Sequence, residues 1–285
     1  MGWLEEISDA ISYIEEHITE DITIEDIAKK AYLSPFYFQR GFTILCGFTV
    51  GEYIRRRRLA LAGSEVVSTD ERIIDIALKY GYDSPDSFTK AFTRFHGATP
   101  AAVRRDGAMV KSFAPLKIKF SLEGGYIMDY RIVEKDAFTV MGASRAFKNE
   151  TAAAEIPQFW TEHYKAGNGK YVCGMYGICI DEGTSSDEFE YLIADNYDPC
   201  KEIPGGFVTR TIPKHTWAVF PCRGPMPKAI QESNRRIYSE WLPKCRDYEI
   251  AAGFNIEMYT DVNDYPKGNQ DENYYTEIWI PVKKK

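Results

Sequence analysis

The sequence has no apolar run near the roughly 20 residues that span a bilayer, which excludes a membrane helix. Its opening, MGWLEEISDAISYIEEHI, is acidic and amphipathic and lacks the basic start and apolar stretch of a secretory leader. Cysteine is sparse and poorly spaced for metal binding. Cys46, Cys173, Cys179, Cys200, Cys222 and Cys245 form no CxxC pair and have no His at ligand spacing. Reduced thiols in a cytoplasmic protein with neither metal nor cofactor are therefore expected. A nucleophile motif is also missing, as is a second carboxylate at a convincing catalytic spacing, so the chain is not expected to be an enzyme. Hydrophobic residues make up 44% and charged residues 27%, a globular composition that argues against disorder. A length of 285 residues suits two domains better than one.

Basic charge is scarce overall, with a net charge of −7, but it is not scarce everywhere. Residues 1–28 hold nine acids and no Lys or Arg, whereas residues 29–105 hold thirteen Lys and Arg against seven Asp and Glu. A basic segment inside an acidic chain is a localised electrostatic footprint of the kind nucleic acid requires.

That segment contains an internal repeat. Residues 34–49 read SPFYFQRGFTILCGFT and residues 84–99 read SPDSFTKAFTRFHGAT, at a constant offset of 50. Ser is a good N-cap, Pro at the first helical position loses no hydrogen bond, and the Phe pairs at i, i+4 make one buried face. The glycines Gly47 and Gly97 stop each helix. A short amphipathic segment precedes each copy, at 23–31 and 73–80, and Thr23 with Asp26 has the form of a capping box. Helix, short turn, helix is the helix-turn-helix plan. Residues 51–62, with four consecutive arginines, form a helix that joins the two units. A plain helical bundle would need the apolar positions, but not the repeated Ser-Pro start, the repeated basic residue (Arg40, Lys90) or the arginine run.

On these motifs, residues 5–105 resemble the paired helix-turn-helix domain of AraC/XylS-type transcription regulators. The resemblance implies two recognition helices whose early exposed residues meet base edges of double-stranded DNA: Pro35, Phe36, Gln39 and Arg40 in the first, and Asp86, Ser87 and Lys90 in the second. Arg and Lys suit guanine, Gln suits adenine, and Asp can accept from cytosine. Arg55, Arg56, Arg57 and Arg58 are expected at phosphates. Three features depart from the pattern, one of them the acidic Asp86 at a DNA-facing position. Tyr32 stands where the turn often has Gly, and Gly41 weakens its helix by about 1 kcal/mol. If the joining helix sets the two reading helices about 34 Å apart, one monomer covers two successive major grooves.

Residues 109–124 lack helical periodicity and are read as a linker between an all-α domain at 1–108 and an α+β domain at 125–285. Strands are expected at 127–134, 139–147, 171–180, 188–194, 207–212, 216–221, 254–259 and 274–282, with helices at 156–165 and 227–242. This order is β-β-α-β-β twice over, so two repeated halves are expected. The segments 130–142, Phe159-Trp160, 191–194, 204–206, Trp241-Leu242-Pro243 and the terminal YYTEIWIPV resemble the GyrI-like effector-binding domain found in multidrug-sensing regulators and Rob-type AraC relatives.

Strand alternation puts Tyr275, Glu277 and Trp279 on one face. A carboxylate between aromatics is costly to bury unpaired and well suited to a hydrophobic cation. The resemblance also places a last-strand Glu in the ligand pocket, and Glu277 matches it. The bland alternative is a solvent-facing Glu, or one paired with a Lys. Trp160, Tyr164, Tyr176 and Trp217 are further candidates for the pocket lining, with core packing as their default role. Glu190 is read as structural. The expected function is transcription regulation by DNA binding under control of a small-molecule effector, with RNA polymerase as a possible further contact. Two alternatives stay open for the second domain, a hydrolase acting on a small electrophile and a protein-binding module without a small ligand.

Overall fold

Ser34 and Ser84 each accept a hydrogen bond from the backbone N–H three residues on, Tyr37 at 3.3 Å and Ser87 at 3.2 Å. Each is followed by a proline that needs no hydrogen bond at that position. The computed structural model describes residues 3–107, 109–117, 128–181 and 188–285, and it starts helices where these caps stand. The chain divides into two compact units, Met1–Ser121 and Leu122–Lys285.

Among the described residues the first unit is helical: α1 (Trp3–Glu16), α2 (Ile24–Lys30), α3 (Pro35–Cys46), α4 (Val50–Ser68), α5 (Ile73–Lys79), α6 (Pro85–His96) and α7 (Pro100–Asp106). Thr23 and Asp26 close the expected capping box on α2. Gly47 and Gly97 end α3 and α6 in the left-handed region, at φ 76° and 91°. Helix α4 runs beyond the expected 51–62 because Leu59, Ala62 and Val66 continue its apolar stripe into a cluster with Ile76, Phe88, Phe92 and Val103. Each fully buried Phe there contributes about 1.5–3 kcal/mol. His96 closes the cluster. Its Nε2–H donates to the Leu59 carbonyl at 2.9 Å, and its Nδ1 accepts from the Lys111 N–H at 3.0 Å. A Cβ at Gly63 would lie 2.5 Å from the ring, so α4 needs glycine there.

Two short turns join the helix pairs, and they differ in length. Residues 31–34 connect α2 to α3, while 80–84 connect α5 to α6, one residue more. Both turns begin alike. The Leu33 N–H donates back to the Ala28 carbonyl at 3.1 Å, and the Tyr82 N–H to the Ala77 carbonyl at 2.9 Å. The residue before each donor is left-handed. In the second turn it is Gly81 (φ 81°), but in the first it is Tyr32 (φ 51°). A side chain in that region costs roughly 1–2 kcal/mol, and Tyr32 is 76% exposed, so it recovers little by packing. Tyr32→Gly should therefore stabilise the helical unit by about 0.5–1 kcal/mol, net of glycine's greater unfolded entropy. An unchanged or lower thermal midpoint would contradict this.

The stretch read as a linker begins as part of this unit. Phe113 packs on Phe48 and Tyr53, each with ring centroids 6.0 Å away. The Leu116 N–H donates to the Tyr53 hydroxyl at 3.0 Å. Residues 118–124 of the linker, and the first residues of the domain expected from 125, lie outside the described residues.

Among the described residues the second unit is a nine-stranded antiparallel sheet with two α-helices. Its strands are β1 (Arg131–Lys135), β2 (Phe138–Lys148), β3 (Tyr176–Ile180), β4 (Glu188–Asn196), β5 (Val208–Ile212), β6 (His215–Arg223), β7 (Tyr248–Ile250), β8 (Phe254–Tyr259) and β9 (Tyr275–Lys284). They lie in the order β1-β6-β9-β8-β3-β4-β2-β5, with β7 on β9. Strand β7, only three residues long, was not expected from the sequence. Strand β3 starts later than the expected 171 because the Asp195 carboxylate gathers the backbone N–H groups of Cys173, Gly174 and Met175 at 2.6–2.9 Å, curling the chain before it pairs. Helix α8 (Ala152–Lys165) sets Phe159 on Phe147. Helix α9 (Lys228–Arg236) continues through a wider turn, Ile237–Trp241, whose Trp241 meets Phe220. The helices thus cover one face of the sheet. Val140, Tyr176, Ile178, Leu192, Trp217, Val219, Ile256 and Trp279 cluster on the other face.

Candidate functional site

Helix α6 is amphipathic in the way a groove-entering helix must be. Phe88, Phe92 and His96 are buried, while Asp86, Ser87 and Lys90 are exposed. Helix α3 is different. Pro35 and Arg40 are partly exposed, but Phe36 is 2% and Gln39 7% exposed. The expectation that these two stand open for base edges is corrected. The run Phe36-Tyr37-Phe38, with Phe36 edge-on to Tyr37 at 5.3 Å, gives α3 an apolar surface too wide for an open early face.

The four arginines of α4 also separate. Arg57 is buried and grips Glu15 of α1 with Nε at 2.8 and 3.0 Å and Nη2 at 2.6 Å, while also donating to the Phe113 carbonyl. Tyr53 adds its hydroxyl to the same carboxylate at 2.6 Å. Burial works to raise the Glu15 pKa, yet these donors hold it below the usual carboxylate range. Arg58 donates to the carbonyls of Ile18 and Glu20, both at 2.7 Å, and so satisfies the chain just past α1. Arg56 pairs with Glu52 and lies over the rings of Phe48 and Phe113. The expectation that Arg57 and Arg58 sit at phosphates is corrected, since helix spacing turns them toward α1. Arg55 is the exposed member of the run.

In the sheet unit, Tyr275, Glu277 and Trp279 do share a face, as alternation requires. Glu277 is 4% exposed. One of its oxygens accepts from the Tyr275 hydroxyl at 2.6 Å and from Arg131 Nη2 at 2.7 Å, and the other from Trp279 Nε1 at 2.7 Å. Burial works to raise the Glu277 pKa, but the three donors prevail and hold it low, so the carboxylate is ionised at neutral pH. Trp279 stands 6.4 Å from Tyr176 and 6.0 Å from Trp217, edge to face. Tyr176 is 5% and Trp217 0% exposed, so both belong to the packed cluster behind the site.

Trp160 and Tyr164 do not join this face. They lie on α8, where Trp160 donates to the Tyr191 hydroxyl at 3.0 Å and meets Tyr259 at 5.5 Å. Tyr191 and Tyr259 project from the opposite side of the sheet to Glu277, because register Tyr259↔Thr276 sets them against even-numbered residues of β9. Their reading as lining beside Glu277 is corrected. Glu190 is held by Arg210 at 2.7 and 2.9 Å, in keeping with its structural reading.

The sequence reading missed Arg131. Its signal was cross-strand register, which one sequence does not display. Arg131 stands opposite Val219, and Val219 opposite Trp279. This sets the guanidinium beside Glu277, on a strand 146 residues away in the chain.

Two family models match the chain. Residues 131–282 match the integron-associated effector binding protein family, and residues 27–106 match a helix-turn-helix domain. The right origin-binding protein of Escherichia coli K12 is 24% identical over 98% of this chain and 98% of its own length. The regulatory protein SoxS of the same strain is 42% identical over 34% of this chain and 92% of its own. A solved structure of SAV2435 bound to tetraphenylphosphonium is 23% identical, covers 55% of this chain and 94% of its own, and superposes with a TM-score of 0.48. No helix among the described residues is long and apolar enough to cross a membrane. The chain belongs to the AraC-type DNA-binding regulators, carrying a helix-turn-helix domain ahead of an integron-associated, GyrI-like effector-binding domain.

Proposed function

We propose that α2–α3 and α5–α6 act as two helix-turn-helix units reading successive major grooves from one chain, and that the sheet unit binds a hydrophobic organic cation against Glu277. The repeated Ser-Pro caps and left-handed glycines support the paired units. The strand order supports two β-β-α-β-β halves, since exchanging β1 with β5, β2 with β6, β3 with β8 and β4 with β9 reproduces it in reverse. On the DNA side the reading residues are Pro35, Arg40, Asp86, Ser87 and Lys90, with Arg55 at a phosphate. Effector binding shifts DNA affinity, or contact with RNA polymerase, through unequal affinity for two states of the protein.

The observation that carries the effector reading is a buried, ionised carboxylate among aromatic rings. Such a carboxylate attracts a desolvated cation, the ring faces beside it add to the attraction, and its partner Arg131 is half exposed. Titration of the full chain with tetraphenylphosphonium, beside a neutral and an anionic aromatic compound of like size, tests it. Cation-selective binding that Glu277→Gln weakens at least about tenfold is expected, since a charge pair of this kind exceeds 1.4 kcal/mol. Binding that ignores ligand charge, or ignores Glu277, would overturn the reading.

For DNA, Lys90→Ala and Arg40→Ala should each cost about 1–3 kcal/mol on the preferred site and relax preference there. Arg55→Ala should weaken all sequences alike and flatten the salt dependence. Gln39→Ala belongs in the same series. A base-selective loss at Gln39 would show that its burial is lifted on DNA.

A further inference from the structure

Three aromatic or acidic side chains face one another at the end of β9, and each is already met by a basic side chain of the same chain. Arg131 holds the Glu277 carboxylate at 2.7 Å. Lys135 Nζ lies 5.5 Å from the centroid of the Trp279 ring and 4.7 Å from that of Phe138. Arg223 lies 5.0 Å from the centroid of the Tyr275 ring. A carboxylate plus ring faces is the recognition chemistry of a hydrophobic cation, and here protein cations take up that chemistry.

The two that act on Glu277 and Trp279 come from one strand. Arg131 and Lys135 share a face of β1, flanking Val133, and face Val219 and His215 of β6. Among the described residues β1 ends the sheet and pairs with β6 alone. The Arg131 side chain is 50% exposed while its partner Glu277 is 5% exposed, so the guanidinium can turn into water without opening the core. The carboxylate cannot follow it. Tyr275 and Trp279, both neutral donors, would stay on Glu277 and leave one net negative charge at the site.

We propose that Arg131, with Lys135, is a resident competitor for the effector site, so that a ligand binds by displacing the guanidinium from Glu277 and the ammonium from Trp279. This rests on the cationic-effector reading above and adds the residues that set its threshold. A strongly hydrated cation cannot repay its own desolvation and the loss of the Arg131 pair together, whereas a large, weakly hydrated cation with aromatic surface gains the ring faces as well. The competitor therefore selects for ligand hydrophobicity as well as charge.

The test is a double-mutant cycle in the full chain, read by calorimetric titration with tetraphenylphosphonium: wild type, Arg131→Gln, Glu277→Gln, and both together. Arg131→Gln should bind about tenfold tighter or better, because a competing charge contact has been removed. Lys135→Gln should give a smaller gain in the same direction. In the Glu277→Gln background the Arg131 substitution should gain nothing, since there is no carboxylate left to release. An equal or weaker affinity for Arg131→Gln in a chain with wild-type melting behaviour would overturn the proposal while leaving the cationic reading intact. If Arg131→Gln melts early, Lys135→Gln decides, and an unchanged or lower affinity there overturns it. Wild-type affinity that does not depend on Glu277 would sink both readings together.

Discussion

Arg57→Ala should destabilise the helical unit by about 3 kcal/mol, because it strands a carboxylate that the fold has taken out of water. The Arg57 side chain is 10% exposed and that of Glu15 21%, and the pair is bidentate, with Tyr53 on the same carboxylate. Removing the guanidinium also strips a donor from the Phe113 carbonyl, which loosens the segment after α7. The effect should depend on pH in a definite direction. The Glu15 pKa lies below its unfolded value, so the pair's contribution is fully present above the ordinary carboxylate range and fades as pH falls through the lowered pKa. Denaturant unfolding of wild type and Arg57→Ala at neutral and at acid pH checks both parts. The gap between the two proteins should narrow in acid, and a constant gap would remove Glu15 from the argument. Arg55→Ala, two positions away in the same basic run, should leave stability within about 0.5 kcal/mol, as exposed surface changes do.

Trp217→Ala should cost the sheet unit about 3–5 kcal/mol, the range for emptying a large aromatic site in a packed core. Trp217 is fully buried and is boxed by Trp279 at 6.0 Å, His215 at 5.6 Å and the apolar cluster around Ile256. Its Nε1–H finds no acceptor among the described residues. Trp217→Phe therefore sheds an unsatisfied donor along with some volume, and should cost only about 1 kcal/mol. Urea unfolding followed by the fluorescence of the remaining tryptophans separates the two variants. A loss under 1 kcal/mol for the alanine variant would mean that the indole lines an open pocket, as the sequence alone allowed, and is not part of the packing.

Local rules were legible in advance where a short stretch of chain decides the outcome. The Ser-Pro caps, the Thr23–Asp26 box, the terminal glycines and the alternation of Tyr275, Glu277 and Trp279 all act within a few residues, and the structure has them as expected. The arginine run was misread because residues 55–58 look alike in a string, yet each successive residue turns by about 100° on a helix. Two of the four consequently turn inward, Arg57 to α1 and Arg58 to the chain just past it. Trp160 was misplaced because a helix and a strand can both be assigned correctly while the side of the sheet that the helix covers stays unknown. Arg131 stayed out of view for the same kind of reason, since long-range register joins it to Glu277.

An open sheet leaves backbone donors and acceptors unused along its two outer strands, and such edges recruit strands from other molecules. Among the described residues the strands at the ends of the main order are β1 and β5, five residues each, and three-residue β7 adds a short edge beside β9. Both β1 and β5 carry cations, Arg131 and Lys135 on one and Arg210 on the other. Short length and charge are the ordinary protections of an edge against association. Arg131 and Lys135, which the proposal sets in competition with the effector, thus protect the β1 edge as well. On that proposal, replacing both residues to sharpen binding would leave Ile132 and Val133 on an edge stripped of its charges, and self-association should rise with concentration.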